Sequence, residues 1–394
     1  MLRSAPALPD AIRLLSAIGD ALGGYPAGFS MRVAAVAARF AAHRGAESEA
    51  VAATYYAAAL HALGLVRVAV TPGATERDAE IARWDAPVHG AAIVASIPGL
   101  PRGTSDNVRW HRESFDGTGF PDRLRWNGIP QGAMTINIAR AFVAALHAQG
   151  GVESPAEALF AVIGESGRTY DVNAGRAFRE FVSSAGSTFH EPVQPAWTLK
   201  APGAQNVVVA LCAEIDARDP ATAGRGERVE RLVRAVAGQP AVSLDVERAA
   251  FAARLTSLGR VRAGAHIDDF DPLARLGRDA RAGAAADAAR ILRAAPAFAP
   301  FADIVGATAE WYDGSGLPDR RKGDAIDPAA RLIAVALAAD ALEGSSYADA
   351  AHGFPDAATR IGAAAGTQFD PTVVSAYLRA VGNQPAADDG HASA

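Results

Sequence analysis

Apolar residues recur along this chain at a helical period and almost nowhere at the period of a strand. Ile12, Leu15, Ile18 and Leu22 share one face of a segment over 10–22, and Gly23-Gly24 stops it. Val33, Val36, Ala37 and Phe40 repeat that spacing over 30–42. Further helices are predicted at 47–63, 76–86, 88–97, 132–149, 155–163 and 171–184. The segment over 47–63 is apolar on most faces, which predicts burial; 76–86 is charged, which predicts a surface position. After residue 203 the pattern restarts, with helices at 207–217, 225–237, 245–258, 272–276, 284–294, 329–342, 357–364 and 372–380, and a turn at 347–350. No set of alternating segments predicts a sheet, so the expected class is all-α.

The restart is a repeat. Arg32-Val33 returns as Arg228-Val229, and Leu60-His61-Ala62-Leu63-Gly64 as Leu255-Thr256-Ser257-Leu258-Gly259. Gly167-Arg168-Thr169-Tyr170-Asp171 returns as Gly366-Thr367-Gln368-Phe369-Asp370. The offset drifts from 195 to 199 residues, as small loop insertions would produce. Two tandem helical bundles are therefore expected, over 1–186 and 204–383. A linker over 187–203 carries Pro192, Pro195 and Pro202, and the tail over 384–394 is expected to be disordered.

The sharpest match is a loop. His111-Arg112-Glu113-Ser114-Phe115-Asp116-Gly117-Thr118-Gly119-Phe120-Pro121 is echoed by Glu310-Trp311-Tyr312-Asp313-Gly314-Ser315-Gly316-Leu317-Pro318, and both copies continue as Pro-Asp-Arg. The shared part is Glu-x-x-Asp-Gly-x-Gly-x-Pro: Asp116, Gly117, Gly119 and Pro121 in one copy, Asp313, Gly314, Gly316 and Pro318 in the other. Glycine supplies positive φ and close approach, aspartate bonds its own following backbone, and proline stiffens the exit. The histidine is not shared.

Composition changes this picture little. Half of the 394 residues are hydrophobic and the net charge is −5, so neither disorder nor a global pull toward nucleic acid or an anionic membrane is expected. One cysteine, Cys212, excludes an intramolecular disulfide framework and a Cys-rich zinc site. No apolar run reaches the roughly 18–20 residues needed to span a bilayer, and no secretory signal stands at the start, so a cytoplasmic location is expected. The arginines at 225, 228, 231 and 234 interleave with Glu227 and Glu230, which reads as a solvated helix face.

The order and spacing of these motifs resemble the HD-GYP domain, a helical metal-dependent phosphohydrolase module whose active members hydrolyse cyclic di-GMP. The resemblance covers nearly the whole chain, once per half. It implies a cluster of histidines and aspartates holding metal ions. In the first half the family's ligand positions carry Phe29, His61-Ala62, Ala86, His111-Arg112 and Arg140; the motif tyrosine is Phe120 and the arginine after the loop is Met134. In the second half they carry Arg225, Thr256-Ser257, Thr308-Ala309 and Leu337, with Arg331 kept after the loop.

With so few donors the expectation is a catalytically inactive, regulatory or scaffold protein without a metal, acting through a protein partner or a bound cyclic dinucleotide and open to homodimer formation. The alternative is a divergent metal-dependent phosphohydrolase acting on cyclic di-GMP or a related phosphodiester, with iron or manganese held by the first half. Residual chemistry would then fall on His61, His111, Glu113 and Asp116. Candidate anion contacts are Arg112, Arg140 and the cluster Arg320, Arg321 and Lys322.

Overall fold

The computed structural model of the chain describes residues 8–68, 77, 80–81, 83–148, 154–186, 188, 191, 193, 197, 204–262, 271–344 and 356–382. Most of the expected linker, part of the helix expected at 76–86, the turn at 347–350 and the tail lie outside these residues. Among the described residues every named element is helical, and the only extended pairings are two isolated bridges, Ser166–Tyr170 and Ala365–Phe369, at corresponding places in the repeat.

The chain divides into two compact units, one of Ala5–Glu214 with Arg293–Phe298, the other chiefly Ile215–Leu292 and Ala299–Ala394. The first contains α1 (Leu8–Gly23), α2 (Phe29–His43), α3 (Ser48–Leu60), α4 (Ala86–Ala95), α5 (Thr104–Trp110), α6 (Gln131–Ala148), α7 (Pro155–Ile163) and α8 (Val172–Ala185). Its α2 packs on α3 and α6. Phe40, Phe142 and Phe178 from α2, α6 and α8 meet edge to face with centroids 4.9 and 5.2 Å apart, in the geometry aromatic quadrupoles favour. The span Ser48–Arg67 is long and apolar enough to cross a membrane by composition, yet 78% of it is buried within the protein, as a core helix is. Gly64 follows α3, and a Cβ there would sit 1.8 Å from the Ala86 carbonyl oxygen. Only glycine permits that approach of the turn to α4.

Leading into the second unit is α9 (Ala204–Asp216). After it come α10 (Arg225–Ala237), α11 (Val246–Leu255), α12 (Arg278–Arg293), α13 (Ala299–Gly306), α14 (Pro328–Gly344), α15 (Ala357–Ala363) and α16 (Pro371–Gly382). The helix expected at 272–276 is a run of turns, in which Asp271 accepts the Leu273 amide at 2.9 Å. Five residues cannot repay helix nucleation when an aspartate offers a turn instead. Two short helices, α5 and α13, have seven and eight residues, too few to show a period.

A buried carboxylate recurs at the same point of both units. Asp20 lies in the last turn of α1 and accepts the Ser30 amide and hydroxyl, at 3.0 and 2.6 Å, at the start of α2. Asp216 ends α9 and accepts the Gly226 amide at 3.0 Å and the Ser257 hydroxyl at 2.8 Å. Each satisfies an orphan amide at the N-terminus of the next helix. Burial raises both pKa values, that of Asp20 to about 6.

Candidate active site

The loop that opens the site is built identically in the two units. Glu113 is buried, and its two carboxylate oxygens accept the amides of Asp122 and Leu124 at 2.7 and 3.0 Å. Glu310 does the same for Asp319 and Arg321, at 2.7 and 3.1 Å. Asp116 accepts the Thr118 amide and hydroxyl at 2.9 and 2.7 Å; Asp313 accepts those of Ser315 at 2.8 and 2.7 Å. Those bonds hold the Asp116 carboxyl below its usual range, while burial raises Glu113. Gly117 and Gly314 have φ of 80° and 84°. A Cβ on Gly119 or Gly316 would lie 2.2 or 2.0 Å from the backbone nitrogen of Ser114 or Trp311. Phe120-Pro121 and Leu317-Pro318 are both cis. The two acidic side chains thus brace the loop in each unit.

What stands beside the loop differs. In the first unit His61 ends α3 and His111 ends α5, both buried, with ring centroids 5.2 Å apart and nearly perpendicular. Each Nδ1 lies 2.7 Å from the carbonyl oxygen three residues back, Ala58 or Val108. A carbonyl accepts only, so both nitrogens carry the proton and both Nε2 atoms keep a lone pair. The Nε2 of His61 is buried and has no partner among the described residues. Burial pushes the His61 pKa down to about 3, with Arg140 and Arg112 adding to that and the Ala58 bond opposing it. His111 is held well below its ordinary value by burial, then by His61 and Arg112. Both shifts favour the neutral imidazole.

Arg140 projects from α6 toward the same place. Its Nη2 reaches Asn137 Oδ1 at 3.4 Å, its Nε is buried without a partner among the described residues, and burial beside Arg112 lowers its pKa to about 10. The carboxylate partner that a purely structural arginine would have is not found among the described residues. Asn137 also donates to the Glu113 carbonyl at 2.9 Å, which ties α6 to the loop. Tyr25 and Phe29 stack at 4.6 Å beside His61, 6.2 and 6.4 Å from its ring. Tyr170 is buried close enough to feel the charges of Arg140 and Arg112.

The second unit fills the matching region differently. Arg225 stands where Phe29 does. With Arg228 it pairs with Asp340, at 3.7 and 2.6 Å, and Asp340 is buried. Arg331 pairs with Asp370 at 2.6 Å and Asp324 at 3.0 Å. In the basic cluster Arg320 and Lys322 are exposed and Arg321 bonds Asp319 at 2.7 Å, all on this unit's loop exit. The structure thus brings His61, His111, Arg112 and Arg140 together, and leaves Glu113, Asp116 and the 320–322 cluster with their own loops. Sequence reasoning missed the aromatic shelf and Tyr170. The available signal was the repeat itself, since Tyr25 and Phe29 align with Ala221 and Arg225.

Two tandem all-helical units, each carrying one braced Asp-Gly loop, define the class. The chain belongs to the HD domain family, whose pattern matches residues 19–174 and again 211–373. It is also similar in fold to the crystal structure of a cyclic GMP-AMP-specific phosphodiesterase of V. cholerae, V-cGAP3. The TM-score is 0.68 at 18% sequence identity, over 97% of this chain and 99% of that one. No curated protein matches the sequence.

These findings correct three expectations: a catalytically inactive scaffold, a protein that is not an enzyme, and the absence of a metal cofactor. Membership of the HD domain family, with end-to-end likeness in fold to a phosphodiesterase, favours the enzymatic alternative. The error came from counting donors at the family's ligand positions, of which the first half keeps only His61 and His111. The two halves share a fold, but each has its own set of side chains beside the loop.

The donor set fits a metal in part. Two neutral imidazoles with Nδ1 fixed by a backbone carbonyl and Nε2 left over are what a metal asks of histidine. The orphaned Nε2 of His61 is the observation that speaks for it. Among the described residues, however, no group of three or more His, Cys, Asp or Glu side chains gathers at one point. The set suits a single ion with open positions and not a carboxylate-bridged pair.

Proposed function

We propose that the chain is a phosphodiesterase of the HD-GYP type that hydrolyses a cyclic dinucleotide, with its chemistry in the first unit. The observation that carries this reading is the His61–His111 pair beside two arginines whose charge no carboxylate of the described residues neutralises. His61 and His111 are the residues that would hold an iron or manganese ion. Such an ion, when bound, supplies a Lewis acid at a phosphoryl oxygen.

The protein's own groups do the rest. Arg140 and Arg112 place two cations where the phosphodiester's negative charge must sit, and burial strengthens their pull. Burial, with their charge adding to it, favours the unprotonated imidazoles, so the Nε2 lone pairs stay available. Tyr25, stacked on the buried Phe29, offers a flat face to a base. Water adds at phosphorus and the P–O3′ bond breaks, which leaves a 5′-phosphate and a free 3′-hydroxyl. A cyclic dinucleotide is the substrate class of the similar V. cholerae enzyme, whose substrate is cyclic GMP-AMP. A cytoplasmic location goes with such a substrate.

The test is direct. Purified full-length protein, with its metal content measured, is incubated with cyclic GMP-AMP or cyclic di-GMP, with and without Mn²⁺ or Fe²⁺, and products are separated by chromatography. The reading expects metal-dependent linear dinucleotide. Protein that retains no metal, binds neither nucleotide and turns over neither would sink it.

A further inference from the structure

A second aromatic stack adjoins the same arginines. Trp84, in the turn Arg83–Asp85 that precedes α4, stacks on Phe120 of the loop with ring centroids 6.1 Å apart and planes 26° from parallel. A charge adjoins that arrangement, since the Arg112 guanidinium lies 5.5 Å from the centroid of Phe120. Trp84 is 46% exposed, so this stack is not core packing. Large apolar rings are usually covered, and an indole left open on a stacked ring beside a cation needs a reason.

The two stacks bracket the charged centre by contact. Tyr25–Phe29 adjoins His61, and Trp84–Phe120 adjoins Arg112, which follows His111 directly. Neither is reproduced in the second unit, where Ala221, Arg225 and Leu317 take the places of Tyr25, Phe29 and Phe120. Both therefore go with the imidazole–guanidinium centre and not with the fold.

We infer that the two stacks are two nucleobase platforms, so that the first unit is built for a ligand with two bases and two phosphates and not for a mononucleotide. One base lies on Tyr25 and the other on Trp84, with Arg112 and Arg140 between them meeting the phosphates. This assignment rests on the phosphodiesterase reading. Stacking tolerates different bases, because every base has a π face, so the platforms select for the number of bases before their identity.

Titration calorimetry on the full-length protein tests it, using cyclic GMP-AMP as the two-base ligand and 3′,5′-cyclic GMP as the one-base ligand. Trp84→Ala and Tyr25→Ala are each expected to weaken cyclic GMP-AMP binding about tenfold, and Trp84→Phe to restore most of the loss. The cyclic mononucleotide, which can use only one platform, is expected to bind the wild type far more weakly. Should the wild type bind and cleave cyclic GMP-AMP while neither alanine variant changes its affinity, the platforms are wrong and the phosphodiesterase reading stands. Equal wild-type affinity for the two ligands would likewise overturn the two-base assignment. A wild type that neither binds nor cleaves cyclic GMP-AMP or cyclic di-GMP removes the reading itself, and the platforms with it.

Discussion

Glu113 and Glu310 perform the same task to within 0.1 Å, each accepting two backbone amides nine and eleven residues on. In the first unit two imidazoles and two arginines stand beside that loop. The matching positions near the second hold Thr256, Thr308, Ala309 and Leu337, and the nearby arginines are paired to Asp340 and Asp370. The loop and the donors are therefore separable inventions. The loop is a fold element, braced by its own glutamate and aspartate and by the same two backbone bonds to a later segment in each unit, and it persists with or without chemistry beside it. The donors depend on helix ends (α3, α5 and the middle of α6) whose inward side chains can change without disturbing the loop.

The separation predicts that damage to the loop is symmetric and severe. Gly119→Ala and Gly316→Ala each drive a Cβ into backbone, which no rotamer change relieves. Each is expected to destabilise its unit by about 3 kcal/mol or more, seen as a lower denaturant midpoint. A loop variant tolerated in one unit and not in the other would end the claim that the two loops are one object.

Damage to the donors should be asymmetric. His61→Ala and His111→Ala are expected to lower turnover of cyclic GMP-AMP by about a hundredfold or more, since even partners behind a metal ligand cost up to that much. Thr256→Ala and Thr308→Ala, at the matching places, should leave turnover as it was. Steady-state rates of the four variants, with circular dichroism to confirm folding, decide the matter. Equal losses in both pairs would mean that the second unit shares the chemistry.

Much of this was legible in the residues. The 3.6 periodicity, the repeat and the shared loop letters are local properties, and they give the all-α class and most helix positions. The boundaries of 155–163 and 225–237 needed no revision. What was not legible is convergence. His61, His111 and Arg140 lie 50 and 29 residues apart in the chain, and nothing in their spacing announces a ring-to-ring distance of 5.2 Å. Arg140 read only as one candidate anion contact among several; in the folded chain its neighbours are imidazole, guanidinium and phenol. The buried carboxylates were illegible for another reason. Asp20 and Asp216 each end a helix with ordinary amphipathic spacing, and only the fold reveals the following helix start they cap.

The ion pairs of the second unit give a smaller contrast. Asp340 accepts from Arg228 at 2.6 and 3.3 Å and lies 3.7 Å from Arg225, while its counterpart in the first unit is the buried Val143. Asp340→Ala leaves a guanidinium that is largely covered without its carboxylate. The expected loss is about 2 kcal/mol, less than for a fully buried pair because Arg228 is partly in water. Urea unfolding measures it, and turnover in the folded variant should be unchanged. Loss of turnover in folded Asp340→Ala would tie the second unit to the reaction and break the asymmetry.

The smallest expected effect concerns the feature the units share most quietly. Asp20 has its folded pKa raised by burial to about 6 from 3.8, against the bonds from Ser30 that lower it. Above about pH 6 the carboxyl is charged in both folded and unfolded chains, and its contribution does not vary. Between about 3.8 and 6 the folded chain holds a proton that the unfolded chain has released, so stability falls as pH rises through this window. Below it both forms are protonated and the contribution is again flat. The slope from one such carboxyl is at most about 1.4 kcal/mol per pH unit. Asp20→Asn keeps an oxygen for the Ser30 amide and hydroxyl but cannot titrate. Its stability relative to wild type should therefore rise with pH between about 4 and 6 and level off outside that window. Asp216→Asn should behave in the same direction, because burial raises Asp216 too. Thermal melts at half-unit pH steps give the difference curve. If it is flat for Asp20→Asn, the buried carboxylate is not the titrating group; if only one of the two variants responds, the cap is a property of one unit and not of the shared fold.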